Sequence, residues 1–205
     1  MGRPVAARGC DAIIACGIPA AAVNGFRTPF LSDKKEVRAV LAENGFRYDS
    51  TIGAKGGANR VWPGVMSNGV GFDCSVAGQQ CAASERYPNL WQVPLYEAPD
   101  ENLMDYCTDE ATGKPRPSCS ALRQLQYMFD TAYKGNRGPV SVGVHSPYLT
   151  KSSYSKDLKK FFKYALGQQK KDVWAVTMNQ LLDWMENPVP ASRMSKFMKK
   201  YKCVE

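Results

Sequence analysis

From residue 118 to 186 the chain alternates between helical and strand-like patterns, and that alternation constrains the fold more than any other feature. Leu122, Leu125, Phe129 and Ala132 recur at helical spacing behind Ser118 or Ser120, either of which can cap a helix. Pro139-Val140-Ser141-Val142-Gly143-Val144-His145 then reads as a β-like run. A helix over 154–167 would bury Leu158, Phe161, Phe162, Ala165 and Leu166. Val173 to Met178 reads as a strand, 179–186 as a short helix ended by Pro188, and 191–202 as a basic closing helix. Strand and helix at this spacing imply an α/β fold built on a parallel sheet or barrel. In such folds chemistry gathers at the C-terminal ends of strands, which is where this pattern puts His145.

The first half is less regular. Val23 to Arg27 is a short strand entering the turn Thr28-Pro29-Phe30, and Ser32 is placed to cap a helix over 33–44 ended by Gly45. Phe46 to Ser50 returns as a strand, 53–88 is Gly-rich without periodicity and reads as a long loop, and Leu90 to Tyr96 reads as a strand that Pro94 marks as an edge or an end.

His145 is the only histidine in 205 residues, so no two-histidine metal site can be built from this chain. Taken alone, it reads as a satisfied core histidine ahead of a catalytic one. None of the seven cysteines forms a C-x-x-C pair. Cys74 and Cys81 bracket a short polar loop, and Cys107 and Cys119 bracket a turn-rich one. Both pairs read as disulfide staples and hence as an oxidising compartment, against the alternative of scattered buried thiols. No signal-peptide pattern precedes them and no stretch reaches transmembrane length, so the natural N-terminus is expected upstream of Met1. The net charge of +8 concentrates in residues 151–171 and 193–202. Solvated helix faces account for it, a polyanion-facing surface being the alternative, and no nucleic-acid motif or membrane segment accompanies it. The four tryptophans read as core or rim rather than as sugar platforms.

Several segments occur in an order that resembles one family. Arg27-Thr28-Pro29-Phe30-Leu31 with Asn44-Gly45-Phe46-Arg47-Tyr48-Asp49-Ser50-Thr51-Ile52 resembles the third signature of polysaccharide deacetylases, the NodB-homology carbohydrate esterases that include chitin deacetylase-like proteins. Leu103-Met104-Asp105-Tyr106-Cys107 resembles the fourth, acidic signature. Gly135 to Pro139 with His145-Ser146-Pro147-Tyr148-Leu149 resembles the fifth, and Asp172 to Met178 with Trp184 resembles the closing strand and helix.

The resemblance implies a distorted parallel (β/α) barrel, incomplete at its N-terminus. Its parts would be a remnant at 1–16, the C-terminal part of a deacetylase domain over 17–188, and a basic helix at 189–205. It implies hydrolysis of the N-acetyl groups of a chitin-like polymer, outside the cell or in its wall. His145 would be the general acid, with Asp105 tuning its protonation and Arg27 pairing with the catalytic base. The backbone N–H of Phe30 would hold the oxyanion, and Tyr148 would wall the acetyl or sugar subsite. The family also implies a zinc-like divalent metal. Its ligands, an Asp-Asp pair and an H-x-x-x-H helix, lie upstream of the third signature, and the 26 residues before Arg27 contain neither. A non-catalytic carbohydrate-binding wall protein and a truncated gene product therefore stand beside the enzyme as expectations.

Overall fold

The computed structural model describes residues 13–73, 80–82, 84–109, 112, 114–168 and 170–201. These residues fold as a mixed α/β protein with parallel strands and group into two units, one up to Phe161 and one from Phe162 onward.

In the first unit β1 (Gly25–Phe26), β2 (Tyr48–Asp49) and β5 (Tyr87–Gln92) run parallel, with Gly25 opposite Tyr48 and Tyr48 opposite Trp91. β4 (Gly64–Met66) adds an antiparallel edge with a register shift between Val65 and Met66. A second, two-stranded sheet pairs β3 (Gly53–Ala54) in parallel with β6 (Leu95–Tyr96). Neither sheet closes into a barrel. The Tyr48 ring lies in the space that a Cβ at Gly25 would fill, so a larger residue there would have to displace that ring.

α1 (Lys35–Glu43) carries the chain between β1 and β2. Lys34, not Ser32, is its N-cap, and no side chain caps it. Ser32 instead ends a 3-10 turn over Pro29–Leu31. The inner face of α1 brings Leu41 to Phe46, Ile52, Met66, Val70 and Leu90, the main apolar cluster, with the Phe26 and Phe46 rings edge to face at 5.9 Å. Arg38 on the same helix is also buried, and its charge is met inside the fold. Glu85 accepts from Nε at 2.8 Å and from Nη2 at 2.7 Å, Asp33 pairs with Nη1, and the Gln80 carbonyl accepts from Nη2 at 2.9 Å.

The segment read as a loop over 53–88 holds β3, β4 and the start of β5. Strands of two or three residues show no alternation in a sequence, which is why the pattern hid them. The predicted strand 90–96 is cut at Pro94, which has no N–H for a ladder, so β5 belongs to one sheet and β6 to the other.

α2 (Ala121–Lys134) begins where expected, with the Ser120 hydroxyl accepting from Arg123 N. It buries Leu125, Met128, Phe129 and Ala132. After it, residues 139–145 form no strand ladder, contrary to the sequence reading, and lead into the short helix α3 (Ser146–Leu149). α4 (Ser152–Leu166) buries Leu158, Phe161 and Ala165, while Phe162 and Leu166 are 40% and 45% exposed rather than core. Those two lie one residue, about 100° of helix rotation, past the buried stripe.

In the second unit residues 173–178, expected as a strand, likewise make no ladder. α5 (Met178–Glu186) opens on a capping box between Thr177 and Gln180, and α6 (Ala191–Met198) follows. Trp184 Nε1 donates to the Val189 carbonyl at 2.9 Å, fixing the turn between them. The basic side chains of Arg193, Lys196, Lys199 and Lys200 are exposed, as solvated faces should be.

Cys107 and Cys119 form the expected disulfide, with Cα atoms 5.4 Å apart. Cys81 is also disulfide-bonded, while its expected partner Cys74 lies outside the described residues. Replacing Cys107 and Cys119 together by Ser should lower unfolding free energy by about 3 kcal/mol, the chain-entropy cost of freeing a loop of this size. Urea unfolding checks it, and an unchanged midpoint would mean the loop is held without the bridge.

Candidate functional site

Two segments distant in sequence build the centre of the site. Residues 103–107 enter it through a tight reversal in which Asp105 and Cys107 take left-handed backbone angles, φ 50° and 65°. Such angles cost about 1–2 kcal/mol each for a residue with a Cβ, so the surroundings must enforce them. The Cys107–Cys119 bridge is one such constraint. Asp100 is another, its Oδ2 accepting from Cys107 N at 2.7 Å.

The reversal sets the Asp105 carboxylate against His145. Oδ1 accepts the His145 backbone N–H at 2.7 Å, and Oδ2 faces His145 Nδ1 within hydrogen-bonding reach. An ionised carboxylate only accepts, so the proton sits on Nδ1 and Nε2 is left for other work. The His145 side chain is 64% exposed and that of Asp105 10%. The imidazole is therefore held at one nitrogen and open to solvent at the other. His145 is not a satisfied core histidine, and it caps α3 rather than ending a strand.

Tyr106 lies fully buried beneath the pair. Its hydroxyl donates to the Ser141 carbonyl at 3.1 Å and accepts Gly143 N–H at 3.2 Å, and its own carbonyl accepts the Tyr154 hydroxyl at 3.0 Å. Burial pushes the Tyr106 phenol up to about 12 and raises that of Tyr154 as well. Tyr148, one turn after His145, is half-buried, its ring 5.7 Å from that of Tyr154 and 4.5 Å from Lys151 Nζ.

The Arg27 turn docks on the end of β2. Arg27 donates from Nε to the Ser50 carbonyl and from Nη2 to Ser50 Oγ, both at 2.9 Å, and Thr28 N donates to Thr51 Oγ1 at 3.0 Å. Thr51 in turn donates from its hydroxyl and its N–H to Asp49 Oδ1, at 2.5 and 3.0 Å. The two halves of the first motif are thus one hydrogen-bonded unit. Burial lowers the Arg27 pKa, partly offset by Tyr48, Asp49 and Tyr106. Phe30 stands fully exposed at φ 58°. Among the described residues no hydrogen bond or ring contact joins Arg27 or Phe30 to the Asp105–His145 pair. Tyr106, Ser50 and Thr51 all lay within the motifs read from sequence, yet nothing there marked their hydroxyls as the ones that hold the site together.

Asp49 is buried, and desolvation raises its pKa against the hydrogen bonds from Thr51 and Gln92. A raised folded-state pKa means that the folded protein holds the proton more tightly than the unfolded chain does. Asp49 should therefore lower stability as pH rises from about 4 through its folded-state value. Asp49→Asn should remove that slope, an amide keeping one acceptor for Thr51. Unfolding titrations of both proteins from pH 4 to 7 test it, and parallel stability curves would show Asp49 making no such contribution.

The residues present do not fit a catalytic cation. Among those described, Asp100, Cys107 and Cys119 alone bring three potential ligand atoms together, within 4.8 Å of one another. The two sulfurs are bonded to each other and offer no thiolate, and Asp100 Oδ2 is engaged by Cys107 N–H. Asp105 and His145 are engaged with one another.

No family model matches the chain. It is 26% identical over 189 residues to Chitin deacetylase 1 of Bombyx mori, covering 85% of this chain and 34% of that protein. It is 26% identical over 186 residues to Chitin deacetylase 8 of Bombyx mori, covering 86% of this chain and 46% of that protein. The chain thus spans less than half the length of these curated relatives. Over that span, which includes Asp105 and His145, the chain is similar in sequence to these two chitin deacetylases.

Proposed function

We propose that this chain carries the general-acid side of a polysaccharide N-deacetylase acting on a chitin-like polymer of N-acetylglucosamine. The observation that carries the reading is the Asp105–His145 pair, with Nδ1 held and Nε2 open. In amide hydrolysis, water adds to the acetyl carbonyl, the C–N bond of the tetrahedral intermediate breaks, and the departing nitrogen takes a proton, giving acetate and the free amine of the sugar. His145 Nε2 would give that proton, and Asp105 would keep the ring in the orientation to give it. The Phe30 N–H, on a turn stiffened by Pro29, would meet the oxyanion, and Tyr148 would wall the acetyl or sugar subsite. Arg27, half of whose guanidinium is taken by Ser50, would pair with the catalytic base. No step is assigned to a cation, because these residues do not hold one.

Residues 17–188 would form the C-terminal part of the deacetylase domain, completing a (β/α) barrel with further strands. The Cys107–Cys119 disulfide supports an extracellular or wall location, and among the described residues no helix is long and apolar enough to cross a membrane. The test is acetate release from chitooligosaccharides by the full-length protein supplied with a divalent cation. Release that disappears in His145→Ala, with bound cation unchanged, is expected. Loss of cation together with activity would show that His145 is a ligand instead.

A second reading, a carbohydrate-binding protein without catalysis, is favoured by the state of the one donor cluster among the described residues, whose two sulfurs are bonded to each other and whose carboxylate is engaged by a backbone N–H. Retention on chitin resin with no acetate released would select it.

A further inference from the structure

The His145 ring is mostly exposed, so packing around it does not fix its place. Its position is set by its backbone, and that backbone lies in no strand ladder. The polar groups of such a segment must still find partners. Between 141 and 145 they find them at alternate residues, the spacing of one face of an extended chain. Ser141 O accepts from the Tyr106 hydroxyl, Gly143 N donates to it, Gly143 O accepts from Asp105 N at 3.0 Å, and His145 N donates to Asp105 Oδ1. Ser141 Oγ additionally takes Tyr96 N–H at 3.0 Å. Two consecutive residues, Asp105 and Tyr106, therefore do for this segment what a neighbouring strand would do.

We propose that Tyr106 is the positioning residue of the site: its phenol clamps the backbone at Ser141 and Gly143 so that the His145 imidazole arrives at the Asp105 carboxylate. Asp105 holds the Gly143 carbonyl and the His145 N–H; without the clamp the Ser141 carbonyl and the Gly143 N–H lose their partner, and at Ser141 only the Tyr96 N–H bond to its Oγ is left. The clamp is itself rigid. Tyr106 is fully buried, its carbonyl is tied to the Tyr154 hydroxyl, and it is flanked by the left-handed Asp105 and Cys107, the latter bridged to Cys119. Space on the other side is closed too, since a Cβ at Gly143 would meet Met104 Cγ at 2.8 Å. This role rests on the reading that His145 carries the chemistry, but its test does not use activity.

The single histidine gives one clean probe. In protein labelled with ¹⁵N-histidine, proton–nitrogen correlation spectra of the wild type should show the neutral ring protonated at Nδ1. Tyr106→Phe should lose that preference, the ring averaging between tautomers. Tyr96→Phe is the control, since it deletes a buried phenol bonded to the Val61 carbonyl at 2.5 Å while keeping its own backbone bond to Ser141. It should cost stability and leave the histidine pattern untouched. An unchanged pattern in Tyr106→Phe overturns the proposal, as does an equal loss in the control.

If Tyr106→Phe does not fold, amide exchange in the wild type decides. Gly143 N–H exchanging as slowly as the amides of α2 supports the clamp, and exchange at the rate of an exposed loop refutes it. A tautomer lock that needs Tyr106 in a protein releasing no acetate would retire the deacetylase reading alone.

Discussion

Asp105→Asn in the full-length protein should cut acetate release by about ten-thousandfold, the loss seen when an analogous carboxylate behind a catalytic imidazole is made an amide. The size follows from hydrogen-bond direction. Both Asp105 oxygens accept, one from the His145 backbone N–H and the other from Nδ1. An asparagine must keep its oxygen on the backbone N–H, which can only donate, so its NH₂ turns toward Nδ1. That arrangement demands an unprotonated Nδ1 and sets two donors face to face if the ring is doubly protonated. An acid needs that second proton to give away. The backbone itself should tolerate the change, since asparagine is among the residues that accept φ 50° most readily. KM should stay near its wild-type value while kcat falls, and the melting temperature should hardly move. A loss confined to KM would assign Asp105 to substrate binding, and full activity would remove the pair from the mechanism.

The helices were legible from sequence where an apolar stripe and a cap agreed. Ser120 and the run from Leu125 to Ala132 define α2, and Leu158, Phe161 and Ala165 define the inner face of α4. Sequence failed where the strands are only two or three residues long, as at Gly53–Ala54 and Gly64–Met66, because periodicity cannot be read from so few positions. It also failed at 139–145, whose alternating pattern is that of a strand but whose partners are the two consecutive residues Asp105 and Tyr106, mostly through their side chains. The site shows the same division. The resemblance pointed to Asp105 and His145, and the structure brings them together across 40 residues. The hydroxyls that brace them could not be found that way, since a buried tyrosine reads as core whether or not its oxygen bridges two backbone groups.

Arg38→Met should destabilise the protein by about 3–5 kcal/mol, the usual penalty for removing one partner of a buried ionic cluster. Arg38 is 1% exposed and serves two carboxylates and a carbonyl. Burial works against the charge of Glu85, but hydrogen bonds from Arg38 and Ala82 N outweigh it and hold that carboxyl below its usual range. At Asp33 burial wins over the attraction of Arg38 and raises the pKa, in keeping with an Oδ2 that has no hydrogen-bond partner. Methionine would fill the space and leave two carboxyl groups in the interior without their cation. Glu85 also accepts Ala82 N–H at 2.8 Å beside the disulfide-bonded Cys81, so the backbone at 80–82 should loosen with it. Adding Asp33→Asn and Glu85→Gln to Arg38→Met should recover most of the loss, because neutral amides carry no uncompensated charge. Urea unfolding of the single and triple variants at pH 7 measures both. A single variant within 1 kcal/mol of wild type would mean that water reaches the cluster and screens it. A triple variant no better than the single would place the loss in the hydrogen bonds to Gln80 and Ala82 rather than in the charges.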